Sequence, residues 1–124
     1  TEFYFDNGYI PSENSESVNK TLDYAYSDFC IAQVANHLDN LEIAEKYYKS
    51  SLNYRKLFDK ESNLMKPKNS EGTHLTNISD DYWGGGYTEG SAWQNSFSVF
   101  HNIGDLIELH GGNETFYNHL VKMI

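Results

Sequence analysis

Residues 84–94 read GGGYTEGSAWQ, which sets one carboxylate, Glu89, between a glycine run and the start of an aromatic helical pattern. Two chemistries suit a glutamate placed there. As a helix-end anion it is stabilised by the partial positive charge of the first turn. As a general acid it hands a proton to a leaving oxygen, and its neighbours suit that work. Gly84, Gly85, Gly86 and Gly90 let the backbone approach a ligand closely. Tyr82, Trp83, Tyr87 and Trp93 offer flat apolar faces of the kind on which sugar rings stack. Rings that shield a carboxyl group disfavour its charged form and raise its pKa, as a general acid near neutral pH requires. Spacing alone leaves both readings open.

The remaining chemical candidates are thinner. Asp23 and Asp28 stand five apart in a helical pattern and do not share a face. Asp80 and Asp81 precede the aromatic loop, suited either to holding a ligand or to solvating the loop. His101 and Asp105 are four apart and can touch one metal together, but a single pair falls short of a ligand set, and a hydrogen-bonded histidine is the plainer reading. HExxH, CxxC, Walker and nucleophile-elbow motifs are all missing. Cys30 is the single cysteine, inside the apolar run FCIAQVA, and is expected to be a small buried hydrophobe.

The elements that must position Glu89 read as helices. Residues 1–14 contain Gly8, Pro11 and several turn formers and read as irregular chain. From Ser15 to Leu38, Val18, Leu22, Ala25, Phe29 and Ala32 make one apolar face, and Tyr26, Cys30, Val34 and Leu38 a second. A helix apolar on two sides is packed on two sides. Asp39 with Glu42 resembles a capping box for a second helix over 41–58, and the short connection predicts an antiparallel hairpin. A long loop follows, from 58 to 86. A third helix is expected from Ser91, with Trp93, Phe97, Phe100, Ile103 and Ile107 as its stripe and Gly111-Gly112 as its stop. A last helix is expected from Glu114 to Met123. The fold class is therefore all-α, built of antiparallel helical hairpins, with no strand pattern of any length.

Bulk properties narrow the partners. A chain of 124 residues supports one domain at most. A net charge of −9, with the basic residues dispersed, argues against nucleic acid. No stretch approaches the roughly 20 apolar residues that span a bilayer. The chain opens on TEFYF without a signal-peptide pattern, so an export signal would belong to a longer precursor. The sequons at Asn19, Asn77 and Asn113 matter only in a eukaryotic secretory host.

Four blocks of the chain carry a resemblance. SVNKTLDYAYSDFCIAQVA (17–35) is similar to the SVSKTLEYAYDDWCIAQ block of the glycoside hydrolase family 92 α-mannosidases. NYRKLFDKESNLMKPKNSEG (53–72), YTEGSAWQNSF (87–97) and IGDLIELHGG (103–112) resemble further blocks of that family, in the same order. The resemblance implies a segment of an (α/α)6 toroid, residues 1–124 being a partial catalytic domain without its N-terminal β-sandwich. It implies release of terminal mannose from α-mannosides, with an α-1,2 linkage expected, by an inverting, calcium-assisted mechanism. The glutamate of the family's YTEGNAWQ block is the general acid, which falls on Glu89. Trp93 and Gln94 match the same block as shaping or supporting residues and, with Trp83 and Tyr87, are the expected substrate-binding set. Inversion needs a second carboxylate about 6.5–9.5 Å from the acid. In the family the base and the calcium ligands lie beyond the block that ends in GG, so neither is expected in this chain, and the chain alone is expected to be inactive. Its expected partners are an α-mannoside glycan and the remainder of the catalytic domain, or its own copies through exposed apolar faces. A periplasmic or extracellular location is implied. Ser91, Asn95 and the VFHN of 99–102 depart from the family's usual residues and bear on substrate preference.

The alternative from another class is a non-catalytic helical-hairpin module that binds protein or carbohydrate. Residues 44–58 look like the second helix of a tetratricopeptide unit, but no 34-residue repeat recurs.

Overall fold

The computed structural model describes residues 2–124. Its first element is a short helix, α1 (Glu2–Asn7), where irregular chain was expected. The turn formers begin only at Asn7-Gly8, and Gly8 closes the helix at φ 83° by donating to Tyr4 O at 2.7 Å. Tyr4 anchors α1: its ring packs edge-on against Tyr24, and its hydroxyl donates to the buried Asp28 carboxylate at 2.8 Å.

The long helix α2 (Ser17–His37) contains no glycine or proline and buries Val18, Leu22, Ala25 and Ala32. Its start has no side-chain cap. Instead, Glu16 N–H and Val18 N–H donate to the carbonyls of Gly85 and Gly86, at 2.7 and 2.9 Å. The last turn closes in a Schellman arrangement, with Asp39 at φ 57° and the amides of Asp39 and Asn40 reaching Asn36 O and Ala35 O. Asp39 therefore ends α2 rather than starting its successor. The cap of α3 (Leu41–Ser50) is Asn40, whose side chain accepts from Ile43 N–H. The expected hairpin forms, with α3 packed along α2.

The expected second helix does not run to Phe58. It ends at Ser50, gives way to a 3-10 turn over Asn53–Leu57, and leads into a two-residue strand, β1 (Phe58–Asp59). A tight turn then returns as β2 (Leu64–Met65), antiparallel, with Phe58 opposite Met65. Asp59 makes the turn by accepting from Ser62 N–H and its hydroxyl, and Asn63 takes φ 55°. This ribbon is the strand content that the sequence did not suggest.

The expected third helix is broken in two. Its first piece, α4 (Ala92–Asn95), is a single turn; its second, α5 (Ile103–Leu109), begins at Asn102, whose side chain accepts from Asp105 N–H. Phe100 and Ile103, expected in the buried stripe, are exposed, while Ala92, Val99 and Leu106 are buried. Gly111 and Gly112 end α5 as expected, donating to Glu108 O and Ile107 O. The last helix is α6 (Asn113–Met123).

The core gathers Val18, Leu22 and Ala25 of α2, Tyr54 and Leu57 of the 3-10 turn, Leu64 and Met65 of β2, and Val99 and Leu106. The second face of α2 is uncovered among the described residues. Tyr26, Ile31, Val34 and Leu38 are exposed there, and so is Cys30, which corrects the expectation that it is buried. None of the described helices is long and apolar enough to cross a membrane.

Candidate active site

Glu89 sits on a loop that the ribbon, α2 and α4 hold from three sides. Gly84 N–H donates to Gly90 O at 3.0 Å and closes the loop, and Tyr87 N–H turns back onto Gly84 O at 3.1 Å. Gly84 and Gly85 take φ 89° and 60°, which only glycine adopts at little cost. Gly86 has a different reason to be glycine: a Cβ there would stand 2.5 Å from Pro67 Cγ.

Tyr87 is the anchor. Its ring is buried, 3% exposed, and its hydroxyl donates to Met65 O at 2.7 Å. Met65 N–H in turn donates to the hydroxyl of Ser96 at 2.8 Å, so one residue of β2 is tied both to the loop and to the end of α4. Burial pushes the Tyr87 phenol well above its ordinary pKa, so it stays protonated and keeps donating. Tyr87 was expected to offer its face to a sugar; that ring lies inside the core instead.

The other expected residues divide into exposed and supporting groups. Glu89 itself is exposed and left-handed, at φ 48°. The rings expected to shield its carboxyl do not enclose it within this chain. Trp83 is 64% exposed, on the opposite arm of the loop from Glu89 across the closing hydrogen bond. Gln94 is exposed, but its Oε1 is engaged: it accepts from Ser91 N–H at 2.8 Å and meets the Ser91 hydroxyl, forming the capping box of α4. Ser91 is thus the helix cap, and Glu89 lies two residues outside it, so the helix-end reading of Glu89 loses its basis. Trp93 packs on His119, with ring centroids 4.7 Å apart, and so ties α4 to α6.

Of the other candidate acids, Asp28 is held by Tyr4, Asp23 stands exposed on α2, and the rest are engaged elsewhere. Asp80 pairs with Lys66 at 2.7 Å, and Asp81 accepts from the Ser79 hydroxyl. Asp105 holds the Arg55 guanidinium through both oxygens, at 2.8 and 2.5 Å, and also accepts from Tyr54. The bonds from Arg55 hold the Asp105 carboxyl below its usual range. His101 Nε2 lies 2.8 Å from Ser51 O, so His101 and Asp105 face separate partners and make no metal pair. Among the described residues no three His, Cys, Asp or Glu side chains converge to hold a metal ion. The residues present do not build a calcium site.

Two contacts to the loop had no signal in the sequence. Asn19 of α2 accepts from Thr88 N–H at 2.9 Å and donates to Asn95 Oδ1 at 2.9 Å. These partners lie 69 and 76 residues away along the chain, beyond any periodicity.

The arrangement therefore presents the Glu89 carboxylate to solvent from a loop anchored by the buried Tyr87, with an exposed indole on the loop's other arm. The model of the glycosyl hydrolase family 92 catalytic domain matches residues 1–124, the whole chain. An inverting family GH92 mannosidase from Bacteroides thetaiotaomicron is 42% identical and superposes with a TM-score of 0.93 over 96% of this chain and 16% of its own. A second GH92 α-mannosidase structure from that organism is 35% identical, with a TM-score of 0.88 over 94% of this chain and 16% of its own. An "uncharacterized secreted glycosidase" of Arthroderma benhamiae is 25% identical over 88% of this chain and 18% of that protein. The chain spans less than a fifth of the length of these relatives.

Proposed function

The chain belongs to glycosyl hydrolase family 92, and from that premise we propose that Glu89 is the general acid of an inverting α-mannosidase whose helical catalytic domain, an (α/α)6 toroid, includes residues 1–124. The observation that carries the reading is the exposure of Glu89 on a loop anchored by the buried Tyr87 and bonded at Thr88 by Asn19. A proton donor must be fixed in place yet open to the glycosidic oxygen. Trp83, exposed on the facing arm, is the ring proposed to meet the sugar, while Tyr87, Trp93 and Gln94 hold the loop and α4 in shape.

The substrate is a terminal α-linked mannose, with an α-1,2 linkage proposed. Protonation by Glu89 lets the departing sugar leave as a neutral alcohol while water attacks from the opposite face. The base that activates this water, and any calcium, belong on segments outside this chain, which also cover its apolar faces and complete the carboxyl's shielding. A site of action outside the cytoplasm is proposed, in keeping with the Arthroderma benhamiae relative described as a secreted glycosidase.

The test is Glu89→Gln in the full-length protein that carries this chain. With alkyl or disaccharide mannosides, whose leaving groups need a proton, turnover should fall by roughly 10²–10⁴-fold. With 2,4-dinitrophenyl α-mannoside, which leaves without one, the loss should be far smaller. Equal losses on both substrates would remove Glu89 from the acid role.

A further inference from the structure

A left-handed backbone at a residue other than glycine is strained and persists only where the surroundings hold it. Glu89 has φ 48°. Beside it stands a pair of carboxamides. Thr88 N–H, one residue before Glu89, can be satisfied by Asn19 only through its oxygen, at 2.9 Å. The Asn19 amide nitrogen then points to Asn95, which must answer with its own oxygen, at 2.9 Å. That turns the Asn95 nitrogen toward two loop carbonyls, Ser91 O at 3.1 Å and Thr88 O at 3.5 Å, the latter at the limit of hydrogen-bond reach. Each amide can therefore take only one orientation. Thr88 O belongs to the peptide bond that joins Thr88 to Glu89, so the pair holds the backbone on both sides of Thr88.

A second observation is independent of these bonds. A Cβ at Gly90 would stand 2.8 Å from Asn95 Nδ2. The residue after Glu89 lacks a side chain where the Asn95 amide comes in, so the loop is shaped to receive it. Asn19 and Asn95 are both part-buried, and the bond between them and that from Asn95 to Ser91 O are partly shielded from competing water, while the bonds at Thr88 lie at the surface.

We propose that Asn19 and Asn95 act together as positioning residues for Glu89, a carboxamide brace that runs from α2 through α4 to the loop and fixes the direction in which the glutamate delivers its proton. The inference rests on the reading of Glu89 as the acid. Loss of the brace lets the loop relax out of the left-handed turn and moves the carboxyl away from the glycosidic oxygen. The first cost falls on proton transfer, not on sugar binding.

The experiment compares kcat and KM for two substrates in the full-length protein: an alkyl α-mannoside and 2,4-dinitrophenyl α-mannoside. For Asn19→Ala, kcat on the alkyl substrate should fall roughly tenfold or more with little change in KM, while the dinitrophenyl substrate stays within about twofold. Partial misfolding lowers both rates by one factor and leaves their ratio unchanged, so the ratio isolates positioning. Asn19→Asp keeps an acceptor for Thr88 N–H but loses the donor to Asn95 Oδ1, so it should recover only part of the alkyl activity, with a ratio between those of Asn19→Ala and the unsubstituted protein. If Asn19→Ala yields no folded protein, Asn95→Leu removes the second amide and is read in the same way. A ratio equal to that of the unsubstituted protein in either variant overturns the proposal. Glu89→Gln is run alongside: if it too leaves the ratio unchanged, the failure belongs to the acid assignment, and if it alone shifts the ratio, the failure belongs to the brace.

Discussion

Gly86 shows how little room the residues under the loop have. A methyl group there would meet the rigid ring of Pro67 at 2.5 Å, and the carbonyl of the same residue receives the Val18 amide. Gly86→Ala should cost about 1–3 kcal/mol, the usual range for overpacking. Urea denaturation of the full-length protein checks this, and the substitution should lower activity more than Gly104→Ala, since a Cβ at Gly104 meets nothing within 4 Å. At this scale the sequence was informative about Glu89 and the glycines, because a glycine run with a lone carboxylate is visible in one dimension. It was uninformative about direction. Tyr87 and Trp83 are both aromatic neighbours of one loop, yet one ring is buried beneath it and the other exposed. That difference is set by Met65 O, which draws in the Tyr87 hydroxyl from 22 residues away. Asn19 and Asn95 were invisible as a pair for the same reason.

Among the elements, α2 and α6 and the glycine stop after α5 were legible because periodicity and a left-handed glycine are local properties. The break between α4 and α5 was not. Trp93, Phe97, Phe100, Ile103 and Ile107 keep helical spacing, but Ser96 donates to Ala92 O at 2.6 Å and accepts from Met65 N–H, and Asn102 starts a new helix. Serine that bonds to the preceding turn and to another strand competes with the helical ladder. The interface of α5 with α6 carries a titration of its own. His110 and His119 are buried with ring centroids 5.2 Å apart, among Phe97, Phe116 and Trp93. Burial lowers the pKa of both. Between the lowered folded value and the ordinary 6.5, the unfolded chain binds more protons, so stability rises with pH there. It is fully present above about 6.5 and drains away as pH falls below it. Thermal denaturation of the full-length protein should therefore move to lower temperature between pH 7.5 and 5, and His119→Phe should flatten that slope. A slope unchanged by the substitution would place the acid sensitivity elsewhere. Asp105 does not confuse the result: its lowered carboxyl contributes above its unfolded value of 3.8 and is lost only in stronger acid.

The whole molecule is covered on one side of α2 and bare on the other. Cys30, Ile31, Val34 and Leu38 line an exposed apolar strip, of which Cys30, Val34 and Leu38 belong to the second apolar face predicted for this helix with Tyr26. Contiguous apolar surface of this kind marks a face that another surface covers. Val34→Glu should shift the isolated chain toward monomer in light scattering, while in the full-length protein it should reduce the soluble yield. A chain that scatters as a monomer without the substitution would rule out self-association through this strip. The toroid itself was legible only through resemblance, since periodicity reports that helices pair but not how many pairs close a ring. Because Gly85 and Gly86 supply the carbonyls that terminate α2 at Glu16 and Val18, the loop is in effect the missing first turn of that helix. Disorder in the loop is therefore expected to fray the start of that helix, which hydrogen exchange at the Glu16 and Val18 amides would register.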